Sequence, residues 1–187
     1  MTCFLENIEK DHRSGNQRQL LLFIFSSLYI MKKISSETNW CHYAMRILIV
    51  EDEPLIALNT QADLEAAGHS VVGIAMTSRE AVELAGSARP DLVLMDVRLA
   101  EGDGVEAASA IYIHLGIVSL FATSYVEKPV LAANAALGCL QKPYDQRSLV
   151  RSIQIVEQVM NGLEPTLPLP RNLKLYERKS IENEPPT

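Results

Sequence analysis

The sequence predicts an α/β domain in which five parallel strands alternate with five helices that cover both faces of the sheet. Three observations predict it. Short apolar runs recur through residues 45–163, and each is followed by a segment with apolar residues at helical spacing. Runs such as Leu92-Val93-Leu94-Met95 are apolar at every position, as expected of strands buried on both faces. Helix caps and stops punctuate the segments between them. Alternation of this kind implies right-handed crossovers and a parallel sheet with helices on both sides.

Arg46 to Val50 is the first strand. Pro54 opens the first helix, where its missing N–H costs little. Leu55, Leu58, Ala62 and Ala66 recur at helical spacing, and Gly68 stops the helix. Ser70 to Ala75 is the second strand. Thr77-Ser78-Arg79-Glu80 reads as a capping box, in which the hydroxyl caps one backbone N–H and the glutamate reaches back to another. The second helix then runs through Ala81, Val82, Leu84 and Ala85, and Pro90 ends the link. Leu92 to Met95 is the third strand. Val105 to Leu115 is helical, with Asp103 in the preceding turn and Gly116 as the stop. Ile117 to Ala122 is the fourth strand, a short helix is expected within residues 129–137, and Gly138 to Gln141 is a brief fifth strand. Asp145 is a good N-cap for the last helix, whose core face is marked by Leu149, Ile153, Val156 and Met160 before Asn161-Gly162.

In such a sheet, ligands bind outside the carboxyl ends of the strands. The first strand ends at Glu51 and Asp52, the third at Asp96, the fourth at Thr123 and the fifth at Lys142, followed by Pro143. Adjacent carboxylates repel one another, and a hard cation with oxygen ligands is the usual relief. Glu51, Asp52 and Asp96 would hold Mg²⁺, which prefers octahedral oxygen ligation with several retained waters. A central carboxylate balanced by the metal and a lysine can attack a phosphoryl group and form an aspartyl phosphate. Phosphoryl transfer asks mainly for positioning and charge neutralisation, which Lys142 and the Thr123 hydroxyl can supply. Glu53 and Asp103 read as turn residues, and His69 and His114 as satisfied surface histidines.

The pieces ILIVEDEP, DLVLMD, GDGVEAA, FATS and Lys142-Pro143 together resemble a response-regulator receiver domain of two-component signalling, the CheY-like superfamily. The resemblance covers residues 45 to about 162. It implies the flavodoxin-like (βα)5 fold with strand order 2-1-3-4-5. Matched residue by residue, Asp96 is the phosphoacceptor and Glu51 and Asp52 are the acidic pair that binds Mg²⁺. Asp96 is then the third protein carboxylate, and Arg98 lends its backbone carbonyl to the metal. Thr123 is the switch hydroxyl and Lys142 the phosphate-binding lysine, with a cis bond before Pro143. The resemblance also implies a histidine kinase or histidine phosphotransfer protein as phosphate donor. Docking is expected on the first helix near Leu55 and Ile56, and a downstream protein target would read the fourth helix, fifth strand and last helix.

Three positions depart from the commonest receiver pattern. Cys139 stands where an aromatic switch residue is usual. Only 18 residues separate Thr123 from Lys142, so the fourth helix must be short. The stretch FATSY partially matches the Phe-Ala-Thr-Gly-x-Tyr motif of single-domain receivers that lack the aromatic switch. Bulky Arg98 and Tyr125 beside the phosphate predict slow hydrolysis of the acyl phosphate. Two other classes compete: a Mg²⁺-dependent aspartyl phosphatase, and a receiver-fold interaction module that is not phosphorylated. The first would want a second aspartate where Arg98 stands, and the complete set of Glu51, Asp52, Asp96, Thr123 and Lys142 opposes the second.

Charge and composition narrow the setting. Residues 45–163 hold 15 acidic and 8 basic side chains, a net of −7 with no basic stripe, which argues against nucleic-acid binding. The three cysteines, Cys3, Cys41 and Cys139, form no CxxC pattern, which fits a reducing cytoplasm. Leu20 to Met31 is apolar for 12 residues, short of the roughly 20 that span a bilayer. Residues 1–44 read as an N-terminal extension, with Met45 as the expected start of the domain. Residues 164–187 read as a proline-rich disordered tail, too short for a helix-turn-helix output domain. The expectation is a stand-alone receiver over residues 45–163.

Overall fold

The computed structural model describes residues 44–124 and 135–176. Ten elements follow in order: β1 (Arg46–Val50), α1 (Pro54–Ala66), β2 (Ser70–Ala75), α2 (Ser78–Ala88), β3 (Leu92–Met95), α3 (Gly104–Leu115), β4 (Val118–Thr123), β5 (Ala136–Gln141), α4 (Gln146–Met160) and β6 (Leu173–Leu175). The sheet order is β2-β1-β3-β4-β5-β6. The first five strands pair in parallel and β6 adds antiparallel to β5. The expected 2-1-3-4-5 order is therefore present, with a sixth strand beyond it.

Hydrophobic side chains fill both faces of the sheet. One core joins Ile47, Ile49, Leu94 and Leu120 to Ala57 and Leu64 of α1 and to Leu149, Ile153 and Val156 of α4. The other joins Leu48, Val50, Met95 and Phe121 to Ala81 and Ala85 of α2 and to Ala107, Ala108 and Ile111 of α3. The wholly apolar strand β3 and the mostly apolar strand β4 are buried at every position, which is what a central parallel strand with helices on both faces requires.

Local signals act much as their chemistry dictates. Thr77 Oγ1 accepts the Glu80 N–H at 3.2 Å, while the Glu80 carboxylate accepts the Met76 N–H at 2.8 Å. The reciprocal cap thus closes one residue further back than the usual capping box. Asp103 is the N-cap of α3, taking the Val105 N–H at 2.8 Å, and Asp145 caps α4 through the Ser148 N–H at 2.8 Å.

Several expectations are corrected. On α1 the buried row is Ala57, Thr60 and Leu64, while Leu55 and Leu58 are 76% and 56% exposed. Small residues let the helix approach the sheet, so its inward face is not the one richest in leucine. His69 is buried rather than on the surface, and its backbone N–H closes the end of α1 on the Leu64 carbonyl at 3.0 Å. β5 begins at Ala136, two residues before the predicted start, since Ala136 and Leu137 are buried against the two cores. The rest of the predicted fourth helix, and Tyr125, lie outside the described residues.

The largest difference concerns the tail. Part of residues 169–176 is packed: Leu173 is buried, Leu169 and Leu175 lie against the α1/α4 core, and Tyr176 lies against the other. β6 pairs Leu140 with Leu173 and Gly138 with Leu175. A Cβ on Gly138 would sit 2.5 Å from the Lys174 carbonyl oxygen, so the close approach of β6 needs glycine there. Burial of alternate residues on the two faces outweighs the prolines that made this stretch read as unpacked.

Candidate functional site

The carboxyl ends of β1, β3, β4 and β5 converge. Glu51 directly follows β1, and Asp96 directly follows β3. Glu51 is buried, Asp96 is 9% exposed and Asp52 is half-buried. One carboxylate oxygen from each of Glu51, Asp52 and Asp96 lies within 4.8 Å of the others. Lys142, one residue past β5, reaches between two of them: its Nζ donates at 2.6 Å to Glu51 Oε2 and at 2.6 Å to Asp96 Oδ2. Its side chain is 15% exposed.

The backbone fixes these groups. Asp96 Oδ1 accepts the Arg98 N–H at 3.0 Å, and Asp52 Oδ2 accepts the Ala100 N–H at 2.9 Å. The loop after β3 thus orients both carboxylates. Gly104, at the start of α3, packs directly on the Asp96 backbone; a Cβ there would sit 1.9 Å from the Asp96 carbonyl oxygen. Thr123 ends β4, is buried, and its carbonyl accepts the Lys142 N–H at 3.0 Å. The Lys142–Pro143 peptide is cis.

Electrostatics follow from burial. Loss of solvent pushes the Glu51 carboxyl above its ordinary range, and the Asp96 charge adds to this, while Lys142 opposes it. Burial also pulls at Lys142 in the downward direction, but its hydrogen bonds to Asp96 and Glu51 outweigh it and raise the ammonium pKa. One cation serves two carboxylates, so the cluster carries an excess of negative charge. Glu51 Oε1 is buried with no hydrogen-bond partner. An all-oxygen donor set with an orphaned carboxylate oxygen fits a hard divalent cation.

The cluster opens into a cavity of about 790 Å³, whose lining includes Asp52, Asp96, Arg98, Thr123 and Lys142. Of the predicted site residues, Glu51, Asp52 and Asp96 cluster, Lys142 bonds Glu51 and Asp96, and Thr123 and Arg98 line the same cavity. Glu53 is exposed at the N-cap of α1 and stands outside the carboxylate cluster. Sequence reasoning missed Tyr176, which directly follows β6 and hydrogen-bonds the buried Cys139 thiol. The alternation Leu173-Lys174-Leu175-Tyr176 was the available signal for it. Tyr144, which with Tyr125 could stand in for the aromatic absent at Cys139, packs against the α1/α4 core.

Known proteins are similar to this chain. The family model described as the response regulator receiver domain matches residues 47–154. The phyllosphere-induced regulator PhyR of Methylorubrum extorquens is 44% identical over 87 residues, covering 46% of this chain and 33% of PhyR. The transcriptional regulatory protein PdtaR of Mycobacterium tuberculosis is 40% identical over 113 residues, covering 59% of this chain and 55% of PdtaR. The chain therefore spans only part of the length of these relatives. The solution structure of the PhyR receiver domain of Erythrobacter litoralis superposes with a TM-score of 0.55 at 25% identity, covering 67% of this chain and 97% of that one. Among the described residues no helix is long and apolar enough to cross a membrane. With the parallel sheet, the acidic cluster and the lysine at the end of β5 all in place, the chain belongs to the response regulator receiver domain family.

Proposed function

We propose that the protein is the phosphoacceptor of a two-component phosphorelay and that Asp96 receives the phosphoryl group. The observation that carries this reading is the placement of Lys142 Nζ at 2.6 Å from both Glu51 and Asp96, in a cluster that still has one buried carboxylate oxygen without a partner.

Asp96 Oδ2 and Oδ1 are held by Lys142 and the Arg98 N–H, which aim the carboxylate toward the cavity. An Asp96 oxygen attacks phosphorus as the phosphorus–nitrogen bond to a donor histidine breaks, and the imidazole leaves. Positive charge at Lys142 stabilises the oxygens of the group in flight. The Thr123 hydroxyl, at the wall of the same cavity, supplies a further donor. Glu51, Asp52, Asp96 and the backbone carbonyl of Arg98 would hold Mg²⁺. When bound, that ion neutralises the carboxylates and the phosphoryl oxygens. The Arg98 side chain, beside the cavity mouth, slows water attack on the product. The donor is a histidine kinase or a histidine phosphotransfer protein, and the output is contact with a partner protein or return of the phosphate. Phosphorylation adds about −1.5 to −2 charge, enough to reorder the loops around Asp96.

Labelling with acetyl phosphate, with and without Mg²⁺, tests the proposal. Incorporation that requires Mg²⁺ and is labile to acid, alkali and hydroxylamine supports an acyl phosphate. Wild-type protein that takes up no label under either condition overturns it.

A further inference from the structure

Beyond the acidic cluster, the segment leading into β6 bonds the backbone on either side of the same lysine. The turn into β6 places Asn172 against the chain on both sides of Lys142. Its backbone carbonyl accepts the Gln141 N–H at 2.8 Å. Its side-chain amide donates to the Gln141 carbonyl at 3.3 Å and to the Pro143 carbonyl at 3.4 Å. These two are long for N–H···O bonds, so the short backbone bond carries the larger share and the amide acts as a bracket. The residue between the bracketed carbonyls is Lys142. Its own N–H is bonded to Thr123 at the end of β4, and its Nζ is bonded to Glu51 and Asp96.

The segment that supplies Asn172 is built to stay. Leu173 is buried and pairs with Leu140, and the Tyr176 N–H donates to the Leu137 carbonyl at 3.0 Å. The Tyr176 hydroxyl and the Cys139 thiol share a hydrogen bond. Gly138 leaves room for the Lys174 carbonyl that any larger residue would displace. Without β6, strand β5 would present an open edge, and the Gln141 N–H would lose its partner.

We propose that Asn172 is a positioning residue for Lys142, and that β6 is the strap that holds it in place. It fixes the backbone on either side of the lysine so that Nζ rests between Glu51 and Asp96. This deepens the phosphoacceptor reading and rests on it for its consequence in rate, while the positioning itself is a property of the folded chain.

The experiment compares wild type with Asn172→Ala and Asn172→Asp. The alanine variant removes the bracket, and the aspartate keeps its size but loses its donors. Amide hydrogen exchange is measured at Lys142 and, as reference, at Ile49 and Leu94 in the sheet centre. Exchange at Lys142 is expected to speed up at least threefold in both variants, with the reference amides unchanged. Acetyl phosphate labelling is then followed across Mg²⁺ concentrations. The maximal rate is expected to fall three- to tenfold while the half-saturating Mg²⁺ concentration stays put, because the carboxylates are untouched. Exchange at Lys142 equal to wild type, or faster exchange of the reference amides to the same degree, overturns the positioning role. A Mg²⁺ half-saturation that moves with the rate overturns it as well. Wild type that takes no label would sink the phosphoacceptor reading instead, and the exchange comparison then still decides the placement of Lys142. Gly138→Val provides a second route to the same answer: it displaces β6 from outside the site and is expected to reproduce both effects.

Discussion

Lys142 Nζ lies 2.6 Å from Asp96 Oδ2, although 46 residues separate the two in sequence. The contact exists because β3 and β5 flank β4 in the sheet and end at the same level. Asp96 follows the last residue of one strand and Lys142 the last residue of the other. The same ammonium holds Glu51, so removing it leaves two carboxylates facing each other in a half-closed site.

Lys142→Met is expected to lower stability by about 2 kcal/mol in the absence of divalent ions, since a partly buried charge loses its partner. The carboxylates can recover part of this by binding a proton. Thermal melts with and without Mg²⁺ check it: the difference from wild type shrinks when Mg²⁺ is added. Labelling by acetyl phosphate falls by at least tenfold.

Glu51→Gln is expected to do the reverse. The Glu51 carboxyl is raised above its ordinary value of 4.5 by burial, so its neutral form is the one the fold prefers. For a raised carboxyl, the stabilising contribution is complete below pH 4.5 and is lost as pH rises through the folded-state value. At neutral pH without divalent ions, Glu51 is therefore a burden, and glutamine should raise stability by about 1 kcal/mol. Melting curves at acidic and neutral pH check the sign, with the gain vanishing at the acid end. The stabilisation that Mg²⁺ gives the wild type is lost in the variant.

Gly104→Ala tests the contact between α3 and Asp96. The added methyl would overlap the Asp96 carbonyl oxygen, so either α3 or the end of β3 must move. Overpacking of this kind costs about 1–3 kcal/mol. Denaturant unfolding measures the loss, and a shifted Asp96 should slow labelling more than the loss of folded protein explains.

The Cys139 thiol is 3% exposed, and burial raises its pKa, with the Tyr176 hydrogen bond opposing. A raised value means less thiolate at any pH below it, so alkylation at pH 8 should be slow in the folded protein. Truncation before residue 164 removes β6 and Tyr176 and is expected to speed modification at Cys139 at least tenfold. Peptide mass mapping after timed iodoacetamide treatment distinguishes Cys139 from Cys3 and Cys41.

Much of the arrangement was legible in the sequence because the strands announce themselves. Leu92 to Met95 and Val118 to Ala122 carry almost no polar atoms, and a polar residue at the end of such a run falls at the carboxyl edge, where parallel strands gather their ligands. That placed Asp96, Thr123 and Lys142 correctly. Helix faces were harder: α1 turns Ala57 and Thr60 inward because small side chains allow close packing, and no local rule makes them outrank Leu55 and Leu58. β6 was hidden for a similar reason. Its alternation is present but spans only three residues beside Pro165, Pro168 and Pro170, and what fixes them is the open edge of β5 and the space above Gly138. Pairing across 30 or more residues is a tertiary fact, and short strands carry little of it in their own composition.

The most direct test locates the phosphate. Protein labelled with acetyl phosphate and Mg²⁺ is reduced with borohydride, which converts an aspartyl phosphate to homoserine, and the peptides are sequenced by mass spectrometry. The account predicts homoserine at position 96 in the wild type and at no position in Asp96→Asn. Homoserine at any other aspartate in the wild type, or an Asp96→Asn variant labelled as fully as wild type, would contradict it.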